Sequence, residues 1–155
     1  MQKITTVEPQ KIIDDFNQFT FVAAEDFYWS AENSTVHYDP EALELKAGIY
    51  RLLHEIGHAL AHHKTFGSGV ELLRLETEAW SYAQGIAKKY KIIIPQNHID
   101  TCLHGYRDWL HSRSTCPTCG NTSAEVDENT YRCFNCSEQW TVPADQRSRC
   151  YRLKY

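Results

Sequence analysis

Between Phe19 and Tyr38, hydrophobic residues alternate with polar ones, and this period of two is typical of β-strands. The apolar positions fall into three short runs separated by polar stretches. This arrangement predicts a small antiparallel sheet that ends in a hairpin. The runs are Phe19, Phe21 and Ala23, then Phe27 and Trp29, then Val36 and Tyr38.

After Tyr38 the spacing changes to that of helices. Asp39 can cap a first helical turn and Pro40 fits inside one, so a helix is predicted to begin here. Strands followed by helices indicate an α+β fold. Three helices are predicted, separated by the TFGSG segment and by Pro95, over residues of about 41–64, 70–91 and 96–111.

The size of the chain limits its domain content. With 155 residues, 42% of them hydrophobic, it can build one sizeable core and a small appendage. The composition after Ser112 changes to short polar stretches with cysteine pairs. We therefore predict a boundary near Ser114, with a larger domain over 1–113 and a smaller one over 114–155.

Charge and hydropathy restrict the partners. A net charge of -4 and a pI near 6.0 provide no general attraction to phosphate backbones or anionic lipid. The chain contains no apolar window of about 18 residues, and MQKITTVEPQ lacks a signal-peptide core. We expect a cytoplasmic protein with no membrane partner.

Four of the six cysteines form two close pairs with the spacing C-x2-C-x13-C-x2-C. Four thiolates on two tight turns make a closed tetrahedral zinc site, and iron is the minor alternative. All four positions would be filled by protein, so the predicted role is structural, in a small zinc ribbon. The predicted ligands are Cys116, Cys119, Cys133 and Cys136.

The ribbon and the tail that follows it differ in charge. The ribbon has four acidic residues against one arginine, which disfavours DNA, and its aromatic residues Tyr131, Phe134 and Trp140 are expected mainly in its core. The tail has an excess of positive charge that could bind the phosphates of a nucleic acid. Its basic residues are Arg147, Arg149, Arg152 and Lys154.

The stretch LLHEIGHALAHH, at 52–63, carries the strongest candidate chemistry. His54 and His58 are four residues apart, so on a helix both rings project from one face and can bind one ion. Glu55 follows the first histidine and would stand beside the metal as the base that acts on water. This H-E-x-x-H pattern is the zincin signature of zinc peptidases.

A catalytic zinc takes three protein ligands and leaves one position for water. On the second helix, Glu76, Ala79 and Ala83 share one face, and two alanines beside a carboxylate indicate close packing against the first helix. Gly57 on the first helix fits the same contact. Glu76 is therefore the leading third ligand; the alternatives are Glu78, Glu71, His62, and His98, His104 or His111 on the third helix.

The segments HEIGHALAHH and ETEAWSYA resemble the ImmA/IrrE metallopeptidases over roughly residues 35–90. The resemblance implies a minimal zincin-like (gluzincin) domain in which His54, His58 and Glu76 bind zinc and Glu55 is the catalytic base. It also implies an endopeptidase acting on proteins such as repressors. The chain departs from the family in having no helix-turn-helix segment and in placing Trp80 where asparagine is frequent.

A compact H-E-x-x-H domain followed by a zinc ribbon is also similar to the SprT-like proteases, which act near DNA. Their third ligand is usually a downstream histidine, whereas this chain offers Glu76. The leading hypothesis is a zinc endopeptidase with one catalytic and one structural zinc, acting on a protein or peptide. The alternative is a ribbon protein that binds nucleic acid or protein and has weak or conditional protease activity.

Overall fold

The computed structural model of the chain describes residues 7–64, 68–143 and 153–154. Within these ranges it is an α+β protein with four α-helices and two small sheets, as the α+β prediction requires. No helix in these ranges combines the length and the apolar character that crossing a membrane requires. The helices are α1 (Pro9–Asp15), α2 (Lys46–Leu60), α3 (Gly69–Lys89) and α4 (Gln96–Ser114).

The first sheet has three strands and is mixed, not purely antiparallel as predicted. Its strands are β1 (Thr20–Ala23), β2 (Tyr28–Ser30) and β3 (Thr35–Tyr38), in the order β1-β3-β2. β2 and β3 form the expected antiparallel hairpin, whereas β1 pairs with β3 in parallel. The chain reverses direction twice between β1 and β3, so these two strands point the same way. Alternating hydrophobicity is the same in both kinds of pairing and cannot distinguish them.

The predicted helix over 41–64 is interrupted near its start. The Asp39 side chain accepts hydrogen bonds from the backbone amides of Glu41 and Ala42 at 2.9 and 3.4 Å, but it is not the N-cap of α2, which follows Leu45. These amides lead into a single 3-10 turn, Ala42–Glu44. Leu45 is then extended, and α2 begins only at Lys46. The helix ends at Leu60, earlier than predicted.

Helices α2 and α3 approach each other closely at Gly57. A Cβ atom added to Gly57 would overlap the backbone carbonyl oxygen of Ala79 on α3. Ala79 and Ala83 are fully buried, which agrees with the small-residue face predicted for this helix. The missing side chain of Gly57 therefore allows the two helix backbones to come together.

The second sheet forms the ribbon. It contains β4 (Ala124–Asp127), β5 (Thr130–Arg132), β6 (Gln139–Thr141) and β7 (Leu153–Lys154), in sequential antiparallel order. Its buried core consists of Cys116, Tyr131, Cys133, Trp140 and Val142.

The two cysteine pairs lie on two similar turns. The backbone amide of Gly120 donates to the carbonyl of Cys116 at 3.0 Å, and that of Ser137 donates to the carbonyl of Cys133 at 3.2 Å. Gly120 and Ser137 both have a positive φ, of 78° and 62°. Glycine adopts this conformation freely, whereas a serine there is strained.

Two compact units divide the chain, Met1–Lys64 with Leu75–Gln96, and Thr65–Arg74 with Asn97–Tyr155. The second unit therefore includes most of α4 as well as the ribbon. Its side chains join the two parts: Arg113 on α4 donates to the Tyr131 hydroxyl at 3.3 Å and to Asn129 Oδ1 at 2.6 Å. The predicted boundary near Ser114 separates domains that would fold independently. Compact units do not measure independent folding, so this boundary stays a prediction.

Replacing Gly57 with alanine should lower the free energy of unfolding. Overlap with the Ala79 carbonyl is expected to cost about 1–3 kcal/mol, more than alanine gains in helix propensity. The matched control is Gly85→Ala on α3, where an added Cβ meets nothing within 4 Å. That variant should gain about 0.5–1 kcal/mol. Urea denaturation measures both, and equal shifts in the two variants would contradict the close approach.

Replacing Ser137 with glycine should stabilise the ribbon by about 0.5–1 kcal/mol, because glycine removes the strain of the positive φ. Gly120→Ala introduces the same strain on the other turn and should destabilise by about 1 kcal/mol. Denaturation at a fixed free zinc concentration gives both values, since bound metal itself shifts the midpoint. Destabilisation by Ser137→Gly would mean that its side chain has a role beyond the turn.

Candidate metal centres

The buried face of α2 places the H-E-x-x-H residues together. Leu52, Leu53 and Ile56 fix the orientation of the helix, because their side chains are fully buried. The ligand atoms of His54, Glu55 and His58 all lie within 4.8 Å of one another. This group is one of two in the described ranges whose side chains could hold a metal ion.

Helix α3 brings Glu76 to the same point. Its Oε2 atom lies 2.8 Å from Nε2 of His54, and its Oε1 atom lies 3.1 Å from Nε2 of His58. The two Nε2 atoms are 3.1 Å apart. Glu76 is only 6% exposed, so its carboxylate faces the two rings and not the solvent.

These distances fit a small divalent ion. Zinc binds histidine nitrogen at about 2.0–2.1 Å, so two ligand atoms of a tetrahedral site lie about 3.3 Å apart. The spacings between His54, His58 and Glu76 are close to that value. Two imidazole nitrogens and a carboxylate that converge at this range are a suitable donor set for a cation once the nitrogens give up their hydrogens.

Burial and neighbouring charges shift the pKa values of the residues in this group. Burial raises the pKa of Glu55, although the charges of His54 and His58 partly oppose the shift. Burial would also raise the pKa of Glu76, but hydrogen bonds from His54 and His58 outweigh it and lower that pKa to about 2. Burial would lower the pKa of His58, yet its hydrogen bond with Glu76 and the nearby carboxylates raise it. Glu76 is thus held ionised while Glu55 is made a stronger base.

Trp80 covers one side of the group. Its indole ring stacks on the His54 imidazole with ring centres 4.3 Å apart and an interplanar angle of 30°. The position that departs from the ImmA/IrrE pattern therefore belongs to the wall of the candidate site. Nδ1 of His54 is buried and makes no hydrogen bond.

His63 also belongs to this region, although no pattern in the sequence predicts it. Its Nδ1 atom lies 2.8 Å from Nδ1 of His58. The sequence offered His62 only as an alternative ligand or supporting residue, one turn beyond His58 on the same face, but His62 is exposed and has a positive φ of 56°. That turn directs the next residue, His63, back towards α2.

The other candidate ligands lie elsewhere in the described structure. Glu78 approaches His63, with Oε2 at 3.5 Å from Nε2, and Glu71 lies 4.0 Å from Arg74 in the first turns of α3. Neither potential metal group in the described ranges includes a histidine of α4. On that helix His98 lies 3.8 Å from the Cys102 sulfur, and His104 pairs with Asp108 at 3.3 Å.

The four ribbon cysteines form the second potential metal group. The sulfur of Cys116 lies 3.6 Å from that of Cys136, and the sulfur of Cys119 lies 3.4 Å from that of Cys133. A disulfide would require about 2.05 Å, whereas tetrahedral zinc with bonds of about 2.3 Å places its sulfurs about 3.8 Å apart. The cluster is therefore compatible with zinc.

Backbone amides stabilise the thiolate form of one of these cysteines, Cys133. The amides of Cys136 and Asn135 point at Cys133 Sγ, at 3.5 and 3.4 Å, and lower the pKa of that thiol to about 6. On the other turn, the amide of Thr118 lies 3.4 Å from Cys116 Sγ. Amides directed at sulfur stabilise the negative form that binds metal.

The aromatic residues of the ribbon differ in exposure. Tyr131 and Trp140 are buried and stack with ring centres 5.6 Å apart, as expected for a core. Phe134 is instead 79% exposed, next to the Cys133 ligand position. The basic residues Arg147, Arg149 and Arg152 lie outside the described residues, and Lys154 is described only through its backbone in β7.

Comparison with known proteins adds no relative to this picture. No protein-family model, no curated protein and no solved structure matches the chain. The similarity to ImmA/IrrE and SprT-like proteases therefore rests on the motifs themselves.

Proposed function

We propose that the protein is a zinc-dependent endopeptidase. The observation that carries the proposal is the convergence of His54, His58 and Glu76 from two helices, with ligand atoms 2.8–3.1 Å apart, next to Glu55. Two histidines and one carboxylate are the ligand set of many zinc hydrolases that keep a fourth position for water. The glutamate that follows the first histidine has the position of a general base.

A zinc ion at this point would polarise a substrate carbonyl and lower the pKa of water, which is the chemistry that amide hydrolysis needs. Hydrogen bonds from the two histidines keep Glu76 ionised when no ion is present. Its negative charge would offset part of the charge of a divalent ion that took the place of those hydrogens. Trp80 holds the face of the His54 ring and excludes water from that side.

Glu55 moves the proton. It takes one proton from the attacking water as the new C–O bond forms, and it gives that proton to the amine nitrogen as the peptide C–N bond breaks. Burial supports both roles, because a raised pKa makes the carboxylate a better acceptor and lets the acid persist until the amine leaves. The products are a carboxylic acid and an amine, and Glu55 returns to its starting state.

In this proposal the zinc of the ribbon is structural, and the ribbon itself recognises the substrate or a partner protein. The exposed ring of Phe134 next to the metal cluster favours that role. The alternative, a binding module with weak or conditional protease activity, places the main function on the ribbon and its basic tail. The alternative predicts that the His54 and His58 site is dispensable, which the following two experiments examine.

Glu55→Gln should abolish cleavage of fluorescently labelled, unfolded casein while leaving the zinc content unchanged. The amide cannot accept the proton, so the rate should fall by about 10²–10⁴-fold. Glu44→Gln, an exposed glutamate outside the site, is the matched control and should keep full activity. Activity that survives in Glu55→Gln would refute the assigned base.

Glu76→Ala should reduce the zinc content of the purified protein from two ions per chain to one, because it removes a ligand from the site but leaves the four cysteines. Glu71→Ala removes a half-exposed glutamate of the same helix and should retain both ions. Elemental analysis of protein prepared without added zinc gives the numbers. One zinc in wild type and in Glu76→Ala alike would instead favour the binding-module alternative.

A further inference from the structure

Both ring nitrogens of His58 have a close neighbour. Nε2 lies 3.1 Å from Glu76 Oε1, within the candidate metal group, and Nδ1 lies 2.8 Å from Nδ1 of His63. A contact of 2.8 Å between two imidazole nitrogens requires that one of them carry a hydrogen and the other accept it. The side of His58 that faces away from the metal group is therefore engaged by a second histidine.

The direction of this hydrogen bond follows from the metal group. A histidine that binds metal through Nε2 offers a lone pair there, so in its neutral form the hydrogen is on Nδ1. His58 then donates from Nδ1 to His63 Nδ1. His63 must carry its own hydrogen on Nε2. That atom is buried, has no hydrogen bond of normal length, and lies 3.5 Å from Oε2 of Glu78.

An ionised carboxylate can only accept hydrogen bonds, so the carboxylate of Glu78 is a suitable end for the series of donors from His58 through His63. Glu78, His63 and His58 thus form a line of groups in which every hydrogen points away from the metal position. Metal-binding histidines commonly donate their other N–H to a carboxylate or carbonyl, which fixes the tautomer and the ring orientation. Here a second histidine stands between the ligand and the carboxylate.

The chain fixes His63 in this place. Its backbone amide donates to the carbonyl of His58 at 3.1 Å, and its carbonyl accepts from the indole N–H of Trp29 at 3.0 Å. The positive φ of His62 turns the chain between them. His63 is 6% exposed, so its ring is held by packing as well as by hydrogen bonds.

From this geometry we infer that His63 and Glu78 are positioning residues that hold His58 with its hydrogen on Nδ1 and its Nε2 lone pair directed at the metal. The inference rests on the proposed zinc site and deepens it. Neither residue binds the metal. Their contribution is to remove the freedom of His58 to rotate or to carry its hydrogen on Nε2, and such partners typically change metal affinity by about 10–100-fold.

The first test is zinc affinity, measured on the full chain by competition with a chromophoric chelator while the ribbon keeps its zinc. His63→Phe preserves a buried ring but cannot accept from His58, and it should weaken binding at the α2 site by about 10–100-fold. Glu78→Gln should weaken it in the same direction by less. The matched control is His62→Asn, which changes the exposed neighbour and tolerates the positive φ, and its affinity should equal that of wild type.

The second test is the tautomer, which a purely structural role of His63 would not determine. Long-range ¹H–¹⁵N correlation spectra of the zinc-loaded wild type should show His58 with its hydrogen on Nδ1 and His63 with its hydrogen on Nε2. This measurement decides the question even if His63→Phe fails to fold. A hydrogen on Nδ1 of His63, or a folded His63→Phe variant with unchanged affinity, would overturn the inference.

Failure of the proposed function gives a different result. If the wild type binds only the ribbon zinc, no ion is present for His58 to be positioned against, and both the proposed site and the inference are refuted. If the wild type binds two ions but shows the wrong tautomer on His63, the zinc site stands and the positioning role alone is refuted.

Discussion

The candidate metal site depends on the close approach of two helix backbones at Gly57. Ala79 packs against this glycine, and Glu76 lies one helical turn before Ala79 on the same face. His54 and His58 flank Gly57 by three residues and one. The contact therefore sets the distance between the two histidines and the carboxylate, and a larger residue at either position would move Glu76 away from the rings.

Burying these polar side chains lowers the stability of the fold unless they form hydrogen bonds with each other. A buried carboxylate without a partner is strongly disfavoured, and the cost falls only when charges and hydrogen bonds compensate it. Glu76 meets both imidazoles, and His58 meets His63 on its other side. The hydrogen bonds keep Glu76 negative, and a buried negative charge beside two imidazoles makes the group receptive to a cation.

Much of this site could be predicted because helices are periodic. The spacing of His54 and His58, and the common face of Glu76 with Ala79, follow from 3.6 residues per turn, and the structure brings these residues together. His63 could not be found in this way, because a left-handed residue ends the periodicity just before it. The same limit applies to the sheet, where the parallel pairing of β1 with β3 is a property of the chain path and leaves no trace in the alternation. Exposure of Phe134 was also missed, since composition alone does not distinguish a core aromatic residue from a surface one.

Arg113, at the end of α4, is part of the smallest fragment that could carry the ribbon into another protein. Its guanidinium group reaches Tyr131, Asn129 and the carbonyl of Pro143, and its own carbonyl accepts the indole N–H of Trp140 at 2.8 Å. A fragment that begins at residue 114 would leave the Trp140 donor buried without its acceptor, at a cost of about 1–3 kcal/mol. In evolution or in protein engineering, the ribbon would therefore have to be moved to a new host together with the last turn of α4.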